Sequence, residues 1–324
     1  MKFAVLQTTD PYLNLAIEEY LFRTEESEVF LLWQNRPTVV IGKNQNAYAE
    51  VALDVLRERD ILLARRITGG GAVYHDLGNI NYTYIAKSAG QGIDFARFTA
   101  PIIKALSTLG IRATLSGRND LLVGERKFSG NAQHSANGKT LHHGTLLFDS
   151  DLSVLAAVLR PDEEKLRTKA VRSVRSRVTN IAPLLPKECQ TGEFLALLAE
   201  CIRAEYAPDM LQVPQNAEIE RLRARNASPE WLFPKRDMLA GYQLVKKERY
   251  PFGGVEIALE MLGDVIRSAT VRGDFFSTAP IEELEALLCG KTLADLPALL
   301  AKKDVSRYIH GMSASQLCEL LQKQ

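Results

Sequence analysis

Two periodicities interleave along this chain. From Asp10, the run Asp-Pro-Tyr-Leu-Asn-Leu-Ala-Ile-Glu-Glu-Tyr-Leu sets Leu13, Ile17, Tyr20 and Leu21 on one face at helical spacing. Asp10 is placed to cap that helix, with Pro11 at its first turn, where a missing N–H costs nothing. β-rich runs follow at residues 28–33 and 38–41, and Asn35, Arg36 and Pro37 between them predict a hairpin. Residues 51–59 read as a helix and 61–65 as a short strand. Residues 80–86 alternate polar and apolar, as in a half-buried strand.

A helix at 96–109 closes at Gly110, strands are expected at 112–115, 120–123 and 142–148, and a helix at 152–159. From Lys187 the chain turns helical, through 194–206 and 218–226, and 228–238 reads as a crossover. Beyond it, strands at 242–250 and 255–261 flank the turn Pro251-Phe252-Gly253-Gly254. With a further strand at 269–272 they suggest a βαβ-like unit, followed by Leu/Ala-rich helices. Strands and helices mix at hairpin-length gaps. The expectation is an α+β fold with a large mixed, mainly antiparallel sheet over residues 1–239 and a small C-terminal α/β domain over 240–324.

Composition narrows the class. A length of 324 residues suits about two domains. Forty Lys and Arg against 39 Asp and Glu leave a net charge of +1, no surplus for a dedicated nucleic-acid or anionic-membrane binder. No apolar run approaches the roughly 18 residues that cross a bilayer, and the first ten residues lack the long apolar core of a secretion signal. Four cysteines, Cys189, Cys201, Cys289 and Cys318, show no CxxC spacing, so a reducing, cytoplasmic protein is expected.

The densest candidate chemistry is Arg65-Arg66-Ile67-Thr68-Gly69-Gly70-Gly71-Ala72-Val73-Tyr74-His75-Asp76. Three glycines bring backbone N–H groups close to a ligand, and two arginines suit carboxylate or phosphate, which together make an anion cradle. No Gly-Lys-Ser/Thr follows and no GxGxxG opens a helix, so it is neither a Walker loop nor a dinucleotide fingerprint. The plainer reading is a tight strand-to-strand turn with its arginines in solvent. Next, Lys127 stands among Arg126, Ser129, Gly130 and Asn131, small polar neighbours that suit a pocket wall. Asp120 reads equally as a divalent-cation ligand and as a turn-capping carboxylate. Adjacent His142 and His143 must point to opposite faces of a strand, one to a pocket and one to core or solvent, which argues against a shared zinc. Lastly, residues 171–180 form a basic loop carrying Arg172, Arg175 and Arg177.

Taken in order, these blocks resemble the lipoate–protein ligase A family. The likeness runs through Asn14-Leu15-Ala16-Ile17-Glu18-Glu19, Trp33-Gln34-Asn35, residues 39–46, 65–79, 116–121, 126–132, 142–147 and 173–180. It covers about three-quarters of the chain, and the 251–256 turn resembles the start of that family's small C-terminal domain. The resemblance implies a biotin/lipoate-ligase type of catalytic domain that activates lipoate with ATP and Mg²⁺ to lipoyl-adenylate. The lipoyl group then passes to a lysine of lipoyl-domain proteins, the 2-oxoacid dehydrogenase acyltransferase subunits and the glycine cleavage H protein. It implies ATP contacts at Arg66, Gly71, Ala72, Val73 and Tyr74, and places Lys127 on both nucleotide and lipoyl group. By the same resemblance Glu18, Trp33, Thr68, His75 and His143 line the lipoate pocket, and the Arg172, Arg175 and Arg177 loop closes over the adenylate.

Related transferases hold the acyl group on a cysteine in the core of this domain. No cysteine precedes Cys189 here, which favours the ATP-dependent ligase over an octanoyl or lipoyl transferase. A non-catalytic lipoate relay on the same scaffold is the other alternative, and the glycine-arginine signature differs from that of biotin ligases. Thr68 stands where relatives often carry Ser, and Phe128 where smaller aliphatics are common, which leaves lipoate against octanoate open.

Overall fold

The structure is a computed structural model and describes residues 1–88, 92–117, 119–159, 178–234 and 241–323. In chain order its strands are β1 (Lys2–Val5), β2 (Val29–Trp33), β3 (Thr38–Ile41), β4 (Leu62–Arg65), β5 (Val73–His75), β6 (Asn79–Lys87), β7 (Ala113–Ser116), β8 (Asp120–Val123), β9 (Arg126–Ala136), β10 (Lys139–Leu147), β11 (Asp209–Met210), β12 (Leu244–Tyr250), β13 (Gly253–Leu262) and β14 (Val265–Gly273). Eight form one sheet in the order β11-β1-β2-β6-β10-β9-β8-β7, parallel only where β1 meets β2 and β11. The large mixed, mainly antiparallel sheet is as expected.

The helix Pro11–Thr24 forms as its sequence predicts, with Asp10 accepting from the N–H groups of Tyr12 and Leu13. Its inner face, with Leu15, Ala16, Ile17 and Leu21, packs on Val29, Leu31 and Trp33. The helix Phe95–Thr108 and the helix Thr191–Tyr206 cover the opposite face, where Phe98, Ile102, Phe194 and Leu198 meet Phe30, Tyr82 and Phe148. β6 therefore lies between two packed layers and is buried from Asn79 to Ala86. The half-buried strand expected at 80–86 is corrected: its alternate polar residues face a second buried layer, not water.

The hairpin expected across Asn35, Arg36 and Pro37 is also absent. β2 joins the large sheet, while β3 sits between β4 and β5 in a separate three-stranded sheet. The side chain of Asn35 is buried and tied to Asn14 and His75, so the turn redirects the chain between sheets.

Beyond residue 241, β12, β13 and β14 form an antiparallel meander, backed by the helices Ile281–Leu288, Leu296–Leu300 and Ala314–Gln322. This corrects the βαβ-like reading: the connections after Tyr250 and Leu262 are far too short for a crossover helix. This unit has its own core, including Ile257, Val271, Leu284 and Leu317. The expected boundary at 239/240 falls among residues outside the described ones.

Candidate active site

The glycine-rich segment bridges β4 and β5, and its shape is set by side chains on either side. Arg66 is buried, and its guanidinium donates to Thr68 Oγ1 (2.9 Å), Val40 O (3.1 Å), Gly69 O (2.8 Å) and Gly71 O (2.8 Å). Burial pulls its pKa down to about 10, with Glu18 acting in the opposite sense, so it stays charged at neutral pH. Gly70 takes φ = 90°, in the left-handed region open to glycine. Gly42 permits a close approach to this loop: a Cβ there would lie 2.1 Å from Gly70 O.

The two arginines expected to flank an anion do different work. Arg65 is buried and donates to Lys43 O (3.0 Å), Gln45 O (2.6 Å), Trp231 O (2.9 Å) and Leu232 O (2.8 Å). It staples the helix Pro229–Leu232 to the 42–45 turn, a correction to its reading as an anion donor. Trp231 Nε1 returns a hydrogen bond to Arg65 O at 3.0 Å.

A cleft of about 110 Å³ opens beside this loop, lined among others by Leu15, Trp33, Val40, Lys127, Ala132 and Thr145. Of the expected nucleotide residues, Arg66, Gly71, Ala72 and Val73 line it. Tyr74 does not bring its ring there. Successive strand residues face opposite ways, so the ring enters the cluster of Val39, Ile41 and Leu63, where burial together with Asp76 and Asp151 pushes its pKa up to about 12. Any role of Tyr74 in the cleft would fall to its backbone.

Four of the five residues expected around lipoate form one hydrogen-bonded chain in the cleft's wall. Trp33 Nε1 donates to Thr83 Oγ1 (2.8 Å), and Thr83 donates to Glu18 Oε1. His143 Nδ1 lies 3.1 Å from the same carboxylate oxygen, and its Nε2 lies 2.9 Å from Thr68 Oγ1, which Arg66 also reaches. Buried Glu18 and Arg66 are thus joined through His143 and Thr68. The fifth, His75, is held by Asn35 and stands edge-on to Trp33 at 6.1 Å between ring centroids.

The adjacent histidines diverge as expected. His143 faces Glu18, whereas His142 turns to Gln133 Nε2 (3.0 Å) and Tyr82 OH (3.2 Å) and stacks on Phe98 at 5.7 Å. Burial holds His142 neutral, far below the usual histidine range.

Lys127 Nζ pairs with Asp120 Oδ1 at 2.7 Å, both about one-third exposed at the cleft's edge. Its backbone carbonyl accepts from Thr179 N at 2.8 Å. The basic loop therefore re-enters the described structure against Lys127, while Arg172, Arg175 and Arg177 themselves lie outside the described residues. Asn119 and Asn131 lock this corner by reciprocal amide–carbonyl bonds of 2.7 and 3.0 Å. Sequence reasoning missed Asn81, Leu15 and Thr145 in the cleft. For Asn81, the polar residues at alternate positions of β6, namely Asn79, Asn81 and Thr83, were the available signal.

Comparison with known proteins agrees with this geometry. Residues 10–203 match the lipoyl protein ligase A/B catalytic domain, and residues 240–321 match the bacterial lipoate protein ligase C-terminus. The chain is 38% identical over 293 residues to the lipoate-protein ligase LplJ of Bacillus subtilis, covering 87% of each. It is 34% identical over 321 residues to lipoate–protein ligase 1 of Staphylococcus aureus, covering 97% of each. Among solved structures, P. falciparum LipL1 in complex with lipoate shares the fold at a TM-score of 0.79 and 23% identity, over 94% of both chains. Lipoate-protein ligase A bound with ATP matches at 0.61 and 27% identity, over 72% of this chain and 98% of its own. The bi-partite lipoate protein ligase of Thermoplasma acidophilum, described with its E2 lipoyl domain, matches at 0.63 and 30%, over 72% and 95%. With both family matches laid on a cleft built from the residues its sequence singled out, this chain belongs to the lipoyl protein ligase A/B family.

Proposed function

We propose that the protein is an ATP-dependent lipoate–protein ligase. The observation that carries this reading is one cleft bounded by the glycine loop, by Lys127 and by the wall that runs from Trp33 to Arg66. In the first step a carboxylate oxygen of lipoate attacks the α-phosphorus of ATP, and pyrophosphate leaves. Two anions must approach, so fixed positive charge and N–H donors lower the barrier more than any acid or base would. Lys127, a point charge on a long stem at the cleft's edge, suits an ammonium that leaves Asp120 and follows the oxygens from carboxylate to adenylate. In the second step the ε-amine of a lysine on a lipoyl domain attacks the carbonyl, AMP leaves, and the amine gives up a proton. Apolar Leu15, Val40 and Ala132 suit the hydrocarbon chain of the acid.

Among the described residues, the carboxylate beside Lys127 that a Mg²⁺ ion entering with ATP would meet is that of Asp120. One carboxylate with phosphate oxygens and waters is a donor set that ion takes, and bound there it would supply charge to the β- and γ-phosphates. We assign catalysis to residues 1–239 and an accessory role to 240–324, and place the protein in the cytoplasm, where ATP and unmodified lipoyl domains meet. No described helix is long and apolar enough to cross a membrane. None of the four cysteines lines the cleft, so nothing favours a thiol-borne acyl intermediate.

Lipoate-dependent ATP–pyrophosphate exchange tests the first half-reaction, and a lipoyl mass gain on a lipoyl domain tests the second. Lys127→Ala should lower exchange by about 100-fold or more, as loss of a transition-state charge partner does, with the fold retained. Wild-type exchange in that variant would remove Lys127 from the mechanism. Exchange absent from the folded wild-type protein would leave the relay reading.

A further inference from the structure

His75 carries a proton whose position the surrounding amides fix. Asn14 Nδ2 donates to two backbone carbonyls, Thr8 O (3.1 Å) and Gln34 O (2.9 Å), which an amide oxygen could not do. The same Nδ2 faces Asn35 across 2.9 Å, so Asn35 turns its oxygen to Asn14 and its NH₂ to His75 Nδ1 at 3.0 Å. Nδ1 is therefore an acceptor, and the neutral ring bears its proton on Nε2. That Nε2 is buried and meets no acceptor among the described residues. His75 is 3% exposed and forms part of the cleft's wall. Burial, with Arg66 and His143 acting in the same direction, pushes its pKa down to about 3, so the donor is uncharged at any physiological pH.

We infer that His75 is a specificity-determining residue whose Nε2–H donates to a ring sulfur of the dithiolane, so that the cleft distinguishes a disulfide ring from an all-carbon one. A stranded buried donor is costly, and the only groups of lipoate able to accept from it are its carboxylate and its ring sulfurs. The cationic partners of carboxylate and phosphate are already present as Lys127 and Arg66. A divalent sulfur is a weak acceptor, but a methylene accepts nothing. Asn81 strengthens the assignment: one end of its amide is tied to Asn79 (2.9 Å), and the other end is buried and unpartnered in the same wall. The inference rests on the ligase reading and deepens it by naming what selects the acid.

The test compares lipoate with 5-cyclopentylpentanoate, the same shape with both sulfurs replaced by carbon, in ATP–pyrophosphate exchange by the purified full chain. Wild type should favour lipoate in kcat/KM, and His75→Leu should cut that ratio about fivefold, the worth of one neutral hydrogen bond. His75→Gln, which keeps an N–H of similar reach, should hold most of the preference. A ratio unchanged in folded His75→Leu overturns the inference while leaving the ligase reading intact. No exchange by wild type with either acid overturns both. Should His75→Leu fail to fold, nitrogen NMR of wild type decides: a protonated Nε2 whose signal shifts with lipoate but not with the carbocycle supports the inference. A proton on Nδ1, or equal shifts with both acids, overturns it.

Discussion

Thr68 is the smallest link between the two buried charges, because its hydroxyl serves Arg66 Nε and His143 Nε2 at once, each at 2.9 Å. Thr68→Ser keeps both bonds and should be nearly neutral in urea denaturation. Thr68→Val is isosteric but strands a guanidinium N–H and an imidazole nitrogen, and should cost about 1–3 kcal/mol. Equal stability of the two variants would mean the hydroxyl does not join the chain. The departure from Ser noticed in the sequence is thus harmless by geometry. Titration offers a second check. His75 is pushed down to about 3, His134 to about 4, and His142 far below the usual range, all chiefly by burial. A histidine whose folded pKa is lowered binds fewer protons folded than unfolded, so stability is full above about pH 6.5 and falls as pH drops towards the folded values, by up to about 1.4 kcal/mol per pH unit for each group. Urea midpoints measured from pH 7.5 to 4.5 should decline steadily. A flat profile would place these rings in contact with solvent.

Among the elements, the turn between β4 and β5 is the one whose form depends on a neighbour. Gly42→Ala would drive a methyl against Gly70 O at 2.1 Å, a backbone atom that cannot swing aside. The variant should lose about 1–3 kcal/mol and bind ATP more weakly, as titration calorimetry would read. Unchanged affinity would detach the glycine loop from the nucleotide. Much at this scale was legible from residues alone. The Asp10 cap, the long helices, the glycine turn and the divergence of His142 and His143 all follow from local chemistry. Pairing across long stretches did not. β3 finds its neighbours in β4 and β5 and not in the strand just before it, because the side chain of Asn35 is consumed inside the fold. Burial of β6 on both faces was equally hidden, since Asn81 and Thr83 read as solvent-facing until a second layer covers them. Arg65 and Arg66 looked alike, and only tertiary contacts made one a staple and the other the core of a loop.

At the scale of the molecule, the C-terminal unit reaches the glycine loop through a few residues. Phe275 O accepts from Gly70 N at 3.1 Å, Asn44 O accepts from Gly273 N at 2.9 Å, and Phe276 is buried against Phe95, 5.5 Å between ring centroids. Phe276→Ala should therefore cost about 3–5 kcal/mol, as buried Phe truncations do, and should quicken limited proteolysis of the full chain. A variant as resistant and as stable as wild type would show that the two parts do not support each other.

The outer neighbour of β1 is β11, with Lys2 opposite Asp209 and Phe3 opposite Met210. Within the large sheet, β1 is thus the last strand to gain both of its neighbours. At about 5–20 residues per second, the ~200 residues between them take roughly 10–40 s to make. For that interval one row of N–H and C=O groups on β1 stays open to any other extended chain. A high concentration of other extended chains during those seconds should therefore lower the share of this protein that reaches its native sheet.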